Sequence, residues 1–333
     1  MSEPQRFKVV GKPRRRVDGR AKVTGQTRFA DDIVMPRMVH ARILRSPLPH
    51  AEIESIDARR ASALPGVHLV LTGDDFPVTF GMMPVSQDEY PLARGRVRYV
   101  GDPVAAVIAK DEQTAGEALD LIEVKYRPLA TIASAEDALR TPAPKIHDYT
   151  DHGNIHRVQS YEFGDVADAL AKSDHVFDDL FFYQGNTHLP MEQQASLASL
   201  EGDGKLLLQS STQNPHYLHR QMARVLQVPQ SQIRVVAVQN GGGFGGKCDP
   251  ANHEMVVAKA AHRVWVSGWT LTLPSSRRRR KVRRGTIFAL QIFSPRNRAP
   301  WPRKTMCMAA CVTLRRCTQR RVCSSKWHPT SPR

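Results

Sequence analysis

The sequence predicts an α+β fold of two consecutive domains followed by a basic tail outside the fold, and three observations carry this. Val104–Ala109 is a continuous apolar run of strand length, and Ala115, Ala118, Leu119 and Ile122 follow it at helical spacing. Ile233, Val235 and Ala237 mark a strand that runs straight into Gly241-Gly242-Gly243-Phe244-Gly245-Gly246-Lys247. All 32 acidic residues precede position 261, whereas 18 of the 48 Lys and Arg follow it, with all four Trp and four of the five Cys. A composition break that sharp marks a boundary. The 333 residues suffice for two ordinary domains, and 41% hydrophobic with 24% charged residues suits a globular chain.

Composition excludes several classes. Met1 to Lys12 is polar and charged, without the apolar core of a secretory signal, and no run of 18 uncharged apolar residues occurs. A cytoplasmic protein without a membrane span is expected. One cysteine in the first 260 residues fits a reducing compartment. The net charge of +16 suggests nucleic acid only on average, because residues 1–260 are close to neutral. The tail has two readings. Arg277-Arg278-Arg279-Arg280-Lys281 would centre a phosphate-neutralising arm, the basis of an alternative nucleic-acid-binding function. Arms of that kind are poor in Cys and Trp, so a frameshifted, disordered and non-native segment over 262–333 is the favoured expectation, with nucleic acid not expected as a partner. Cys307, Cys311, Cys317 and Cys323 lack the paired short spacing of a zinc site, and no metal site is expected there.

Along the chain, Val17–Gly25 is turn-rich and polar, leading toward a first strand. Met38–Leu44 is a strand with Val39, Ala41 and Ile43 on one face, broken by Ser46-Pro47-Leu48-Pro49. Val67–Leu71 is a strand ended by Thr72-Gly73-Asp74-Asp75. After Val104–Ala109 comes a helix that Asp111 or Thr114 would cap, then a strand through Val124 and Tyr126. Ala130–Asn154, rich in Pro, Ala and Thr, reads as a linker. A helix over Ala167–Ser173 and strands over Val176–Phe182 and Leu206–Ser210 follow. Pro215–Leu226 is helical, with Leu218, Met222, Val225 and Leu226 on one face, and Asn252–Ala261 opens a last helix.

Five glycines in six positions imply a backbone at positive φ or in close approach to a neighbour, and amides freed in such a loop point at anions. Gly241-x-Gly243-x-x-Gly246 matches a dinucleotide fingerprint, but no acidic residue follows Glu254 to hold a ribose. Gly241 to Lys247 also matches a Walker A loop, except that Cys248 stands where a magnesium-binding Ser or Thr belongs. A turn without a ligand is the default for a lone motif. A second element, Ser211-Thr212-Gln213-Asn214-Pro215, lies between a strand and a helix about 30 residues earlier. A buried Gln amide there would offer a donor and an acceptor to an oxo group or pterin edge.

Together, Ser211–Pro215, Ile233-Arg234-Val235 and GGGFGGK resemble the first molybdopterin-contacting stretch of the molybdenum hydroxylases, the family of xanthine dehydrogenases, aldehyde oxidoreductases and 4-hydroxybenzoyl-CoA reductase. Asp18-Gly19-Arg20-Ala21-Lys22-Val23-Thr24-Gly25, Arg45-Ser46-Pro47, Pro65-Gly66-Val67 and Tyr99–Val107 resemble that family's small hammerhead domain. The resemblance covers roughly residues 10–261. Purine-oxidising members carry Glu directly after GGGFGGK, where this chain has Cys248-Asp249-Pro250. Phe182–Gln193 and the stretch from Gly241 to Glu254 are most similar to the molybdenum subunit of 4-hydroxybenzoyl-CoA reductase.

The resemblance implies an aldehyde oxidase/xanthine dehydrogenase a/b hammerhead domain over 15–128, a linker over 129–154 and the first part of a molybdopterin-binding domain over 155–261. It places Gln213, Gly243, Phe244 and Gly245 at the cofactor, molybdenum with molybdopterin in its cytosine dinucleotide form. Glu192, His188 and His216 are expected to be structural. Iron–sulphur [2Fe-2S] and FAD partner subunits, and an aromatic acyl-CoA substrate, are implied. The family's general-base glutamate lies further along a complete subunit and matches nothing here, so this chain is expected to be inactive alone and to hold no cofactor stably.

Overall fold

The computed structural model describes residues 7–81, 87–139, 145–148, 152–161, 163–181, 183, 185, 187–266 and 312–313. Two compact units result, Met1–Leu129 with His188–Ala299, and Ala130–Thr187 with Pro300–Arg333. The arginine run and the tail cysteines lie outside the described residues.

The first unit opens with a short helix, α1 (Gly19–Val23), where the sequence suggested only a turn. Asp18 at its start meets Lys22 at 2.7 Å, one helical turn on. Then come β1 (His40–Arg45), β2 (Ala51–Asp57), α2 (Arg59–Ala63), β3 (Val67–Thr72), β4 (Arg96–Val97), β5 (Pro103–Ala109), α3 (Glu112–Asp120) and β6 (Glu123–Pro128). They form two antiparallel three-stranded sheets, ordered β1-β5-β3 and β4-β2-β6. All seven residues of β5 are buried, as its unbroken apolar run requires of a central strand. Asp111 caps α3 by accepting the Thr114 N–H at 2.7 Å, and Ala115 and Ala118 bury against Ala105 and Val107. β6 does not return to the sheet of β5 but pairs with β2 in the other one. The sequence hid β2, because Glu52, Glu54 and Ser55 dilute its apolar alternation and no residue beyond Ala51 is fully buried.

The second unit contains α4 (Ala135–Leu139), inside the stretch read as a linker, and α5 (Val166–Ala171), capped by Asp165 at the Asp168 N–H, 2.9 Å. Of the run Val176–Phe182, Leu180–Phe181 forms β7, which pairs antiparallel with the backbone of Val312 and Thr313.

From His188 the chain rejoins the first unit through β8 (Ser196–Leu200), β9 (Leu206–Ser210), α6 (Pro215–Leu226), β10 (Ile233–Ala237) and α7 (Asn252–Val266). β9 pairs antiparallel with β8 and parallel with β10, and α6 makes the crossover between the parallel strands. The buried face of α6 (Leu218, Met222, Val225 and Leu226) is the one its spacing predicted. β8, a short Ser-Leu alternation, was not foreseen.

One apolar cluster joins both halves of this unit. Ala41, Ile43, Leu71, Phe76, Phe80 and Ile108 from the first half share it with Leu208, Met222, Met255 and Val256. Polar links reinforce the seam. The Tyr217 hydroxyl donates to the Gly81 carbonyl at 2.8 Å, and Asn252 Nδ2 donates to the Tyr90 carbonyl at 3.1 Å.

Candidate cofactor site

Because β9 and β10 run parallel, their C-terminal ends deliver Ser211–Asn214 and Asn240–Lys247 to the same edge of the sheet, where ligands of α/β sheets bind. The two segments are stitched together. Asn240 Nδ2 donates to the Ser211 carbonyl at 3.0 Å, and the Gln213 N–H donates to the Lys247 carbonyl at 2.8 Å. In return the Lys247 N–H donates to Gln213 Oε1 at 3.2 Å, and Asn214 Nδ2 donates to the Cys248 carbonyl at 3.1 Å.

A strap, residues 188–194, lies against the glycine loop, and alternate residues meet it. The His188 ring abuts Gly246, Pro190 abuts Gly242, Glu192 reaches Gly241 and Lys247, and Gln194 Nε2 donates to the Gly246 carbonyl at 2.7 Å. The intervening Leu189 and Met191 are exposed. Close approach fixes two glycines in particular. A Cβ on residue 243 would lie 2.4 Å from Gln213 Oε1, and one on residue 246 would lie 2.0 Å from the His188 ring.

The loop apex is left open. Its N–H groups at Gly241, Gly242, Gly246 and Lys247 are taken by Glu192, Asn240, the Gly243 carbonyl and Gln213. Among the described residues, the three consecutive N–H groups of Gly243, Phe244 and Gly245 have no acceptor. Phe244 holds φ +50° with its ring exposed, and a Cβ on Gly245 would meet nothing within 4 Å. Gly243 is buried and Phe244 and Gly245 are exposed, so the outer two of these free amides suit oxygen acceptors of a ligand.

Beneath the loop lies a small polar cavity with room for about one water molecule, lined by Ser210, Thr212, Lys247, His253 and Glu254 among others. Glu254 accepts the N–H of Ala251 at 2.7 Å at the start of α7, and the Ser210 hydroxyl at the end of β9. Burial pushes its carboxyl up to about 7 and pushes the His253 imidazole down to about 3.

Of the residues expected at the cofactor, Gln213, Gly243, Phe244 and Gly245 all come together at this apex. Gln213 is exposed, not buried as expected, because only its oxygen is engaged by the loop. His216 is exposed on the first turn of α6, whereas His188 packs on the loop. Lys247 cannot serve a Walker-type phosphate. Its ammonium is 2.6 Å from Glu192 and its side chain is 2% exposed. The contributions of Gln194, Asn240 and Pro190 were missed, although the even spacing of 188, 190, 192 and 194 was there to be read.

Two family models match: the a/b hammerhead domain of aldehyde oxidase and xanthine dehydrogenase over residues 24–130, and a molybdopterin cofactor-binding domain over residues 146–270. The chain belongs to the molybdenum hydroxylase family. It is 38% identical over 240 residues to a probable xanthine dehydrogenase subunit of Bacillus subtilis, covering 72% of this chain and 32% of the relative. It is 38% identical over 243 residues to the nicotinate dehydrogenase large molybdopterin subunit of Eubacterium barkeri, covering 73% of this chain and 56% of that one. The crystal structure of quinoline 2-oxidoreductase from Pseudomonas putida superposes with a TM-score of 0.68 at 28% identity, over 84% of this chain and 34% of that one. The chain thus spans about a third to a little over half of the relatives it matches. Among the described residues no helix is long and apolar enough to cross a membrane.

Proposed function

We propose that residues 211–214 and 241–248 form the first cofactor-contacting stretch of a molybdenum hydroxylase large subunit. The free N–H groups of Gly243, Phe244 and Gly245 would bind oxygen acceptors of the molybdenum–molybdopterin group, in its cytosine dinucleotide form. The Gln213 amide would donate to its oxo group or pterin edge. The row of three unclaimed amides beside an exposed glutamine is the observation that carries this reading. When bound, the group supplies the redox centre at which oxygen is added to or removed from a substrate carbon. Phe244, exposed at the apex, would shape the substrate side.

For substrate, Cys248 in place of an acidic residue favours an aromatic acyl-CoA of the 4-hydroxybenzoyl-CoA reductase kind over a purine. A xanthine dehydrogenase or aldehyde oxidoreductase type of substrate is the second reading, favoured by the relatives named for xanthine and nicotinate. Electrons would pass to or from [2Fe-2S] and FAD partner subunits, because Cys248 is the sole thiol in residues 1–260. No acidic residue follows Glu254 to serve as general base, so the 333-residue chain is proposed to be inactive alone, with a frameshift near residue 261.

The test is to resequence the gene across the codons for His253 to Trp269, then measure molybdenum and pterin in the purified product. A shift of one or two bases that restores a long frame, with about one molybdenum per restored subunit and less in its Gln213→Ala variant, is expected. Near one equivalent of molybdenum in the 333-residue chain itself would refute the incomplete site.

A further inference from the structure

The strap that carries Glu192 faces the loop with every second residue, and Glu192 does something none of the others does. A single oxygen, Oε2, accepts the N–H of Gly241 at 2.6 Å and the ammonium of Lys247 at 2.6 Å. These are the first and last residues of GGGFGGK, so one atom closes the loop at its base. Both side chains are almost wholly buried, 2% exposed for Lys247 and 9% for Glu192. The second carboxylate oxygen of Glu192, also buried, has no hydrogen-bond partner among the described residues.

A buried ion pair is a weak source of net stability, since desolvation of both charges offsets their attraction. A hydrophobic pair of similar volume would fill the same space at least as well. What such a pair would not do is tie the Gly241 N–H and the Lys247 side chain, six residues apart, to one atom. With Gly241 and Lys247 pinned, and with Gly246 held by Gln194 and by the Gly243 carbonyl, the intervening residues can close only as a tight bulge. Phe244 at φ +50° is part of that bulge, and its strain needs a base that does not yield.

We infer that Glu192 is a positioning residue: its carboxylate clasps the two ends of the glycine loop through Gly241 and Lys247 and thereby holds the Gly243–Gly245 turn, whose amides have no acceptor among the described residues. The assignment of those amides to the cofactor rests on the reading above; the clasp itself does not, and its test requires no ligand. Lys247 is accordingly an internal counter-ion rather than a ligand-binding cation. The loop's receptiveness to anionic oxygen comes from backbone alone.

Hydrogen–deuterium exchange on the full chain tests this, comparing the peptide over residues 239–248 with a control peptide over β5. Glu192→Ala is expected to speed exchange of the Gly241 amide about tenfold or more, the effect of losing a hydrogen bond to a charged group, and to speed the Lys247 amide, bonded to Gln213, through the released loop, while β5 stays protected. The doubly neutral variant Glu192→Gln with Lys247→Met is the decisive one. Its Gln carbonyl still accepts the Gly241 N–H and no charge is left buried, so the Gly241 amide returns to within about threefold of the parent, but nothing ties residue 247 to residue 192 and the residue-247 amide stays fast. Lys247→Met alone, which strands a buried carboxylate, is expected to be worse than the double variant. Wild-type exchange in Glu192→Ala, or a residue-247 amide as slow as the parent's in the double variant, overturns the clasp. If Glu192→Ala loses β5 protection as well, the split between the two amides in the double variant decides. A normal clasp in a chain whose restored subunit takes up cofactor without regard to Gln213 would instead count against the functional reading alone.

Discussion

The Gln213 side chain occupies the space that a Cβ on residue 243 would need, its Oε1 only 2.4 Å from that position. The same oxygen accepts the Lys247 N–H. Glycine at 243 is therefore a condition for the pose of Gln213, and these two residues, distant in sequence, are one structural element.

Gly243→Ala should disturb pose more than stability. The clashing atoms belong to a flexible, exposed side chain, which can swing away at the cost of its bond to the Lys247 N–H. A loss of about 1–2 kcal/mol is expected by denaturant unfolding, of the order of one hydrogen bond with some strain. Gln213→Ala in the Gly243→Ala background should recover part of it. A larger loss, with no recovery, would show that the backbone and not Gln213 is what residue 243 contacts.

The shared apolar cluster leads to a second expectation. Leu208→Ala should cost about 2–5 kcal/mol, the range for a fully buried aliphatic side chain. Because Leu208 lies in one cluster with Leu71, Phe80 and Ile108, β5 amides should lose exchange protection in the same transition as β9 amides. Two separate transitions would mean that the halves of the first unit fold independently.

His253 and Glu254 make opposite contributions to pH dependence. Glu254 is raised to about 7 from its ordinary 4.5, so the folded state holds its proton more tightly and this group's stabilisation is lost as pH rises from about 4.5 to 7. His253 is lowered to about 3 from 6.5, so its contribution is lost as pH falls from about 6.5 to 3. Between about 4.5 and 6.5 the two slopes cancel. Glu254→Gln should therefore expose a slope in that window, with stability falling as pH falls, and should be more stable than the parent at pH 8 by about 3 kcal/mol at most. Melting temperatures measured from pH 4.5 to 8 check this, and an unchanged profile in Glu254→Gln would remove the carboxyl from the account.

Gly73 offers a contrast with Gly243. A Cβ there would lie 2.3 Å from the Ala93 carbonyl oxygen, which is backbone and cannot swing aside. Gly73→Ala should destabilise more than Gly243→Ala by urea titration of the two variants under the same conditions. Equal midpoints would show that the segment around Ala93 yields.

What the sequence showed and what it hid divide along physical lines. β5, β9 and α6 were legible because their residues meet one environment along their length, wholly buried or buried on one regular face, whereas β10, buried only at Ile233, was legible from its β-branched residues. β2 was not, because its sheet leaves Glu52 and Glu54 partly exposed and its apolar residues are too sparse to alternate clearly. That β6 joins a different sheet from β5 was also hidden, since pairing is set by contacts distant in sequence. At the site, the glycine motif and Gln213 were visible as residue types. The strap was not, because it lies outside the named strands and its meaning lies in what faces it.

Four of the five glycines face side chains of the protein itself: Gly241 faces Glu192, Gly242 faces Pro190 and Phe244, Gly243 faces Gln213, and Gly246 faces His188. The motif's density therefore measures how closely two neighbouring segments are pressed to the loop, and only its crest is turned toward anything from outside. A substitution at Gly241, Gly243 or Gly246 would first be felt inward, by the polypeptide that moulds the loop. Tolerance to replacement at Gly245 would be limited by backbone conformation and by whatever the crest receives. In this chain a run of glycines is the imprint of its own surroundings as much as an invitation to a ligand.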